Sequence, residues 1–316
     1  MKIVVTGAAG YIGGQTLLQL TDAGHDVLAI DREMPPGHLM TVPCSWYTGD
    51  FASDLGLDAI KLFCPDAIVH CAGTSLVGPS ITNPEDYYNN NFVKTKILLD
   101  FLIDNHYKKV RVVFSSSAAT YGNPIMTPCQ EVDPTEPISP YGESKLMIEW
   151  MLKSYHRAYG LDYVAFRYFN ACGADPRTRH GQPPKATHII ARVLESMRDQ
   201  QPFTLYGDQY ETADGTCIRD YVHVADIAQA HILAINAEIP AGIYNLGTSA
   251  GASNREIIST AEAVTGESLM IDVGPIREGD PAMLTASADK FTKISGWKPQ
   301  YVLVDIIEHA WRWYTR

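Results

Sequence analysis

The chain carries six cysteines, Cys44, Cys64, Cys71, Cys129, Cys172 and Cys217, and no C-x-x-C pair among them. That absence excludes a zinc ribbon and argues against a disulfide framework; scattered single thiols suit a reducing compartment, the cytosol. Positive charge is also scarce: 25 Lys and Arg stand against 36 Asp and Glu, for a net charge of −11. A chain this acidic is not built around nucleic acid or an anionic membrane, and any anionic substrate must be held by a few placed cations. No apolar run reaches membrane-spanning length, and the first residues lead straight into a strand, so no signal peptide is expected. Internal repeats and low-complexity segments are missing as well. What remains is ordinary for a globular enzyme: 316 residues, 46% of them hydrophobic, enough for one large domain or a large and a small one.

Lys2 to Thr6 is a β-branched run, and Gly7-x-x-Gly10-x-x-Gly13 follows at once. A helical pattern to about Ala23 and a second apolar strand, Asp26 to Ile30, end in Asp31. This is a βαβ unit whose glycines admit a pyrophosphate at a helix N-terminus. Asp31 stands where an acid accepts hydrogen bonds from an adenosine ribose and repels a 2′-phosphate, favouring NAD over NADP. The neighbouring Arg32 weakens that preference without reversing it.

Alternation continues. A strand near Trp46 to Thr48 leads to Gly49-Asp50-Phe51, an expected adenine-edge contact. A strand from Asp66 to His70 runs into Cys71-Ala72-Gly73, and one long helix is expected from Pro84 to Asn105. Val110 to Phe114 reads as a central parallel strand ending in Ser115-Ser116-Ser117; ligands of open α/β sheets bind at such carboxyl ends. Ser139-Pro140-Tyr141-Gly142-Glu143-Ser144-Lys145 then opens a long helix, followed by a strand from Tyr163 to Arg167. After Asn170 the alternation loosens, with a long loop over residues 174–184. Ile218 to Val224 leads into a helix to about Asn236, and Ile243 to Gly247 reads as a last strand of the main sheet. His70, His188 and His223 form no metal-ligand pattern, and no metal is expected.

Tyr141 and Lys145 lie on one helical face, roughly 6 Å apart along the axis. One positive charge at about 4 Å in an effective dielectric near 20 is worth about 4 kcal/mol, or some three units on the pKa of a phenol. The spacing therefore predicts that Lys145 makes Tyr141 a usable base near neutral pH. Taken alone, the pair would be an ordinary surface Tyr and Lys; the dinucleotide motif and the serine run upstream change that.

Together these features resemble the extended short-chain dehydrogenase/reductase superfamily. Within it, Phe114-Ser-Ser-Ser-Ala118, Arg167-Tyr-Phe-Asn-Ala-Cys-Gly-Ala-Asp175, the stretch from Tyr206 to Thr216, Ile218 to Val224, and Arg277-Glu-Gly-Asp280 are similar to the UDP-glucose 4-epimerase family. Ser117-Ala118 stands where related sugar-nucleotide dehydratases carry an Asp-Glu pair. The resemblance implies a Rossmann-type doubly wound parallel sheet with a smaller α/β substrate-binding domain. Its domains would be an NAD-binding part over 1–170, with 222–247 returning to it, and a mainly UDP-sugar-binding part over 171–316. It implies a catalytic trio of Ser117, Tyr141 and Lys145. For NAD it implies Gly7, Gly10, Tyr11, Ile12, Gly13, Asp31, Asp50, Phe51, Ala72, Gly73, Asn91, Ser115, Tyr141, Lys145 and Tyr168. For the UDP-sugar it implies Ser117, Tyr141, Asn170, His188, Tyr206, Arg219, Arg277, Asp280 and Leu284. Leu284, four positions after the Arg277-to-Asp280 motif, matches a sugar-pocket position filled by Tyr in some members; its smaller bulk leads to the expectation that N-acetylated sugars are accepted. The chain departs from the family at Ser75, Arg32, the short segment after Asp31, and His188. A homodimer is expected, with the helices after Pro84 and Pro140 as interface elements. The alternatives are a 4-epimerase of another UDP-sugar, a net oxidoreductase, or a nucleotide-sugar-binding protein without turnover.

Overall fold

The computed structural model describes residues 1–105, 107, 109–235, 238–276 and 281–316. Arg277 and Asp280 lie outside the described residues. In chain order, β1 (Lys2–Thr6), α1 (Tyr11–Asp22), β2 (Asp26–Asp31), β3 (Ser45–Thr48), α2 (Asp54–Phe63) and β4 (Ala67–His70) come first. Then follow α3 (Val77–Thr82), α4 (Pro84–Tyr87), a π-helical turn over Tyr88–Val93, α5 (Lys94–Asp104), β5 (Arg111–Ser117) and a 3₁₀ turn over Ala118–Thr120. Next are α6 (Pro140–Tyr159), β6 (Tyr163–Tyr168), β7 (Asn170–Cys172), α7 (Ile189–Asp199), β8 (Phe203–Tyr206), β9 (Ile218–Arg219) and β10 (Tyr221–His223). The chain ends through α8 (Val224–Ile235), β11 (Gly242–Leu246), β12 (Ala252–Ser253), α9 (Asn254–Thr265), β13 (Ile271–Gly274), β14 (Met283–Leu284), α10 (Asp289–Ser295) and α11 (Leu303–Tyr314).

The chain forms two compact units. The first comprises 1–122, 133–168 and 228–244; the second comprises 123–132, 169–227 and 245–316. Residues 123–132 join the second because Cys129 accepts Asn245 Nδ2 at 3.1 Å and donates its amide to Thr285 O at 2.8 Å. Pattern alone gave no sign of that excursion.

The seven-stranded sheet has the order β11-β6-β5-β4-β1-β2-β3, and the pairs from β3 through β6 are parallel. The order reverses between β1 and β4, and a ligand crevice lies at the carboxyl ends of strands at such a point. Val4, Ile30, Ile68, Phe114 and Ala165 are buried in the core of this unit, as expected of strands covered on both faces. Two expectations need correcting. The serine run does not follow β5 but belongs to it: Ser115, Ser116 and Ser117 pair with Phe166, Arg167 and Tyr168. The helix expected over 84–105 is broken into α4, the π turn and α5; such wide turns often accompany functional sites.

The second unit packs α7, α9 and α11 around Ile190, Leu194, Phe203, Ile257, Ile307 and Trp313. Its strands form short two- and three-stranded sheets, including β12-β9-β14 and β13-β8. The long loop expected over 174–184 is present, broken by a bridge between Ala174 and Gly181. Trp313 packs in this core and donates Nε1–H to Gln182 O at 2.8 Å.

Candidate active site

The glycine turn joins β1 to α1 with little space to spare. A Cβ on Gly13 would sit 2.1 Å from Gly7 O, so α1 can approach the turn this closely only with glycine there. Gly10 is the N-cap of α1 and supplies no side-chain cap, and the first turn, with Tyr11 and Ile12 half-buried, holds no acid. An uncapped helix N-terminus of this kind suits an anion. Asp31 closes β2; its carboxylate accepts Ala9 N at 2.9 Å and Glu33 N at 3.0 Å, tying the acid to the glycine turn while leaving lone pairs for a diol. Gly7, Gly13, Asp31, Ala72 and Gly73 thus cluster at the reversal of strand order, and their geometry fits a dinucleotide.

Asp50 follows β3 and pairs with Lys94 Nζ at 2.5 Å. Burial opposes its charge, but the Lys94 hydrogen bond and the Ala52 amide hold its pKa below the ordinary value. The Phe51 ring packs edge-on to His70, centroids 4.9 Å apart, so only the Phe51 backbone is left for a ligand. Asn91, in the π turn, accepts Thr74 N at 2.7 Å and donates to Thr74 O at 3.1 Å and Ser144 Oγ at 2.9 Å. Arg32 reaches Asn90 Oδ1 at 3.3 Å.

Helix α6 begins with Ser139 as N-cap, accepting Gly142 N at 3.2 Å, and Pro140 in the first turn; it ends at Gly160 in the left-handed conformation. A Cβ on Gly142 would lie 2.5 Å from Ala119 O, so glycine lets the start of α6 press on the turn after β5. That contact brings Tyr141 to Ser117, whose side chain favours the phenolate. Ser117 Oγ also accepts Ala119 N at 3.1 Å, which makes it a cap and a tyrosine partner at once. Lys145, one helical turn on, donates to Ser115 O at 2.9 Å.

The electrostatics differ from the expectation. Burial raises the Tyr141 pKa; the Ser117 hydrogen bond opposes this and Tyr87 adds to it. The Lys145 ammonium lies 5.8 Å from the Tyr141 ring centroid and is spent on Ser115 O, so it does not offset the desolvation of the phenol. Burial also lowers Lys145 itself to about 8, with Cys71 opposing. Among the chain's own groups, Ser117 is what favours the phenolate.

Tyr168 is buried, its hydroxyl tied to His231 Nε2, so that hydroxyl is not turned to a ligand. Sequence reasoning missed the groups behind the trio. Ser116 Oγ donates to Glu149 at 2.6 Å, and Arg167 holds the same carboxylate through Nε at 2.9 Å and Nη2 at 2.7 Å. His70 joins Thr6 Oγ1 at 2.7 Å and Thr95 Oγ1 at 2.8 Å. The available signal was a charge at a core position: Glu149 follows Lys145 by one helical turn on the same face.

In the second unit, Asp220 organises the expected substrate residues. Its carboxylate accepts Thr248 N at 2.7 Å, Thr248 Oγ1 at 2.6 Å, and Ser249 N and Ala286 N at 3.1 Å each. Its backbone O accepts Asn170 Nδ2 at 2.9 Å, and its backbone N donates to Leu284 O at 3.1 Å. Leu284 is the register partner of Arg219, which places those two side by side. Arg219 is half-buried and donates to Ile218 O at 2.7 Å. Tyr206 is half-buried at the end of β8, and His188 is exposed at the N-cap of α7.

Residues 3–247 match the family model described as NAD dependent epimerase/dehydratase family. The chain is 44% identical to the UDP-glucose 4-epimerase of Halalkalibacterium halodurans, with 99% of this chain and 96% of that protein covered. Its fold is similar to UDP-glucose 4-epimerase from Bifidobacterium longum in complex with NAD+ and UDP: TM-score 0.91, 33% identity, 100% of this chain and 98% of that one. It is also similar to the UDP-Glc/GlcNAc 4-epimerase from Campylobacter jejuni, with TM-score 0.86, 34% identity and 99% of both chains covered. With its glycine turn, its Ser-Tyr-Lys trio and similarity along its whole length, the chain belongs to the NAD dependent epimerase/dehydratase family and, within it, to the UDP-glucose 4-epimerases.

Proposed function

We propose that this protein interconverts UDP-glucose and UDP-galactose by inverting C4 through a transient 4-keto sugar, with Ser117, Tyr141 and Lys145 as its catalytic groups. The observation that carries the reading is the placement of Tyr141 in the first turn of α6, pressed onto the turn after β5 that holds Ser117, with the buried Lys145 one helical turn on. Tyr141 takes the proton from the sugar O4 and later gives it back. Ser117 hydrogen-bonds the phenol oxygen and shapes that proton path. Lys145 holds positive charge behind Ser117 and Tyr141 and would hold the nicotinamide ribose when NAD is bound. The glycine turn, Asp31, Asp50, the Phe51 backbone, Ala72, Gly73, Asn91 and Ser115 hold NAD. When bound, NAD supplies the hydride acceptor and donor for C4.

Asn170, Tyr206, Arg219 and Leu284 hold the UDP-sugar, with His188 at its nucleotide end and Arg277 and Asp280 completing the set by resemblance. A guanidinium suits diphosphate oxygens. Leu284 leaves room at C2, so N-acetylated UDP-hexoses are substrates too; the Campylobacter jejuni relative, which acts on both kinds, supports this. The protein works as a homodimer through the helices around α5 and α6, where Val93, Ile97 and Trp150 are exposed, the last by 55%. It is cytoplasmic: its six cysteines are free, and among the described residues no helix is long and apolar enough to cross a membrane. The test is incubation with UDP-glucose, UDP-N-acetylglucosamine and UDP-xylose, with products separated by chromatography. Conversion of the first two to their C4 epimers is expected. Turnover of UDP-xylose alone would assign a pentose epimerase, and no turnover at all would leave a binding protein.

A further inference from the structure

Residues paired across neighbouring strands line the same face of a sheet. Ser116 on β5 and Arg167 on β6 are such a pair, and both turn to α6. One carboxylate, that of Glu149 on α6, takes hold of the two together. Its Oε1 accepts Ser116 Oγ at 2.6 Å and Arg167 Nε at 2.9 Å, and its Oε2 accepts Arg167 Nη2 at 2.7 Å. The groups themselves fix the directions. A guanidinium only donates and the carboxylate beside it only accepts, so the Ser116 hydrogen goes to Glu149. The guanidinium also lies 4.6 Å over the ring of buried Tyr121, which follows the 3₁₀ turn that Ser117 caps. Glu149 follows Lys145 by one helical turn and Tyr141 by two, on the same side of α6. Lys145 donates to Ser115 O at 2.9 Å, one residue from Ser116. The cluster therefore touches each part that carries the trio: α6, the end of β5 and the turn after it.

We propose that Glu149 is a positioning residue for the catalytic trio: by clamping Ser116 and Arg167 it fixes the rotation of α6 against β5, and with it where Tyr141 and Lys145 point. Net stability does not account for the arrangement, since a buried ion pair traded for apolar groups of like volume is close to neutral. What apolar groups lack is direction. They let a helix turn in place, whereas two parallel hydrogen bonds and a third from the next strand hold it at one angle. With side chains reaching about 6 Å from the helix axis, a rotation of roughly 10° moves their ends by about 1 Å, and a misplacement of that size costs about 10²-fold in rate. Glu149 is fully buried and acts only through these contacts. The proposal rests on the trio assigned above.

The test uses the NAD-loaded enzyme and has two arms. In the first, crystal structures of the wild type and of the double variant, Glu149→Leu with Arg167→Met, are compared. In the double variant α6 should be rotated, with Lys145 Nζ drawn off Ser115 O. Finding α6 and Lys145 in their wild-type places would overturn the proposal, whatever the enzyme turns over. In the second arm, the double variant and Ser116→Ala, which leaves the ion pair standing, are assayed on UDP-galactose. UDP affinity is read by calorimetry and stability by thermal melting. Both variants should bind UDP as the wild type does and melt close to it, because neither leaves a buried charge unpaired. Their kcat should nonetheless fall, about 10- to 100-fold in the double variant and about 3- to 10-fold in Ser116→Ala, as loss of orientation does. Unchanged kcat in either variant, or a loss of kcat matched by a loss of UDP affinity or of melting temperature, would overturn the positioning role. An inactive wild type would instead remove the reading of the trio, with the clamp on α6 still decided by crystallography.

Discussion

Glu149 and Arg167 form an ion pair with side-chain exposures of 0% and 3%, closed by two parallel hydrogen bonds of 2.9 and 2.7 Å and a third from Ser116 at 2.6 Å. Changing Glu149 to Leu leaves the guanidinium buried with no counter-charge. Breaking such a pair on one side costs about 3–5 kcal/mol, whereas replacing both partners by apolar groups of similar volume is close to neutral. Glu149→Leu should therefore lose about 3–5 kcal/mol, and Glu149→Leu with Arg167→Met should recover most of it. The assay is urea unfolding followed by circular dichroism; on the usual scaling the single change lowers the melting temperature by roughly 6–20 °C. The Arg167 guanidinium also lies 4.6 Å over the Tyr121 ring, so part of the loss is a cation–π contact that Met does not replace. A single variant within about 1 kcal/mol of wild type, or a double variant as unstable as the single, would refute the reasoning.

Three further outcomes are expected. Tyr141→Phe keeps NAD and UDP binding but lowers turnover about 10²–10⁴-fold, since the base is the phenol oxygen alone; calorimetric titration beside the rate assay checks both halves. With nucleotide removed, Lys145→Met should be more stable than wild type at pH 7, by on the order of 1–3 kcal/mol. Burial depresses the Lys145 pKa to about 8 from 10.5, so the charged form opposes folding in full below pH 8 and the advantage of Met fades between those values; denaturant unfolding at pH 7 and 10.5 reads it. Leu284→Tyr should lower turnover of UDP-N-acetylglucosamine roughly 5- to 150-fold and spare UDP-glucose, the cost of about 1–3 kcal/mol for crowding a filled pocket.

Much of the fold was legible because periodicity and turn chemistry report it directly. The strand Lys2 to Thr6, the glycine turn and Asp31 declare a βαβ unit through local rules, and β1 has the expected bounds. The π turn over Tyr88–Val93 was not legible, since one extra residue in a helical turn leaves the apolar pattern almost unchanged. The extension of β5 through Ser117 was hidden because serine usually marks a cap or turn; pairing with β6 overrides that preference. In the site, residue spacing gave Tyr141 and Lys145 but not their electrostatics. Charge proximity was counted and desolvation was not, and desolvation decides both groups. The contacts of Glu149, His231 and Asp220 are made with partners 18 to 215 residues away, which no local pattern announces.

The central claim is that hydride leaves C4 and returns to C4 within one site. UDP-galactose deuterated at C4, incubated with the enzyme and excess unlabelled NADH, gives the most direct measurement, with the UDP-glucose product read by mass spectrometry. The account predicts that the product keeps its deuterium at C4 and that no net NADH is formed or consumed. Loss of the label to the soluble nicotinamide pool, or a change in NADH matching the substrate used, would contradict it.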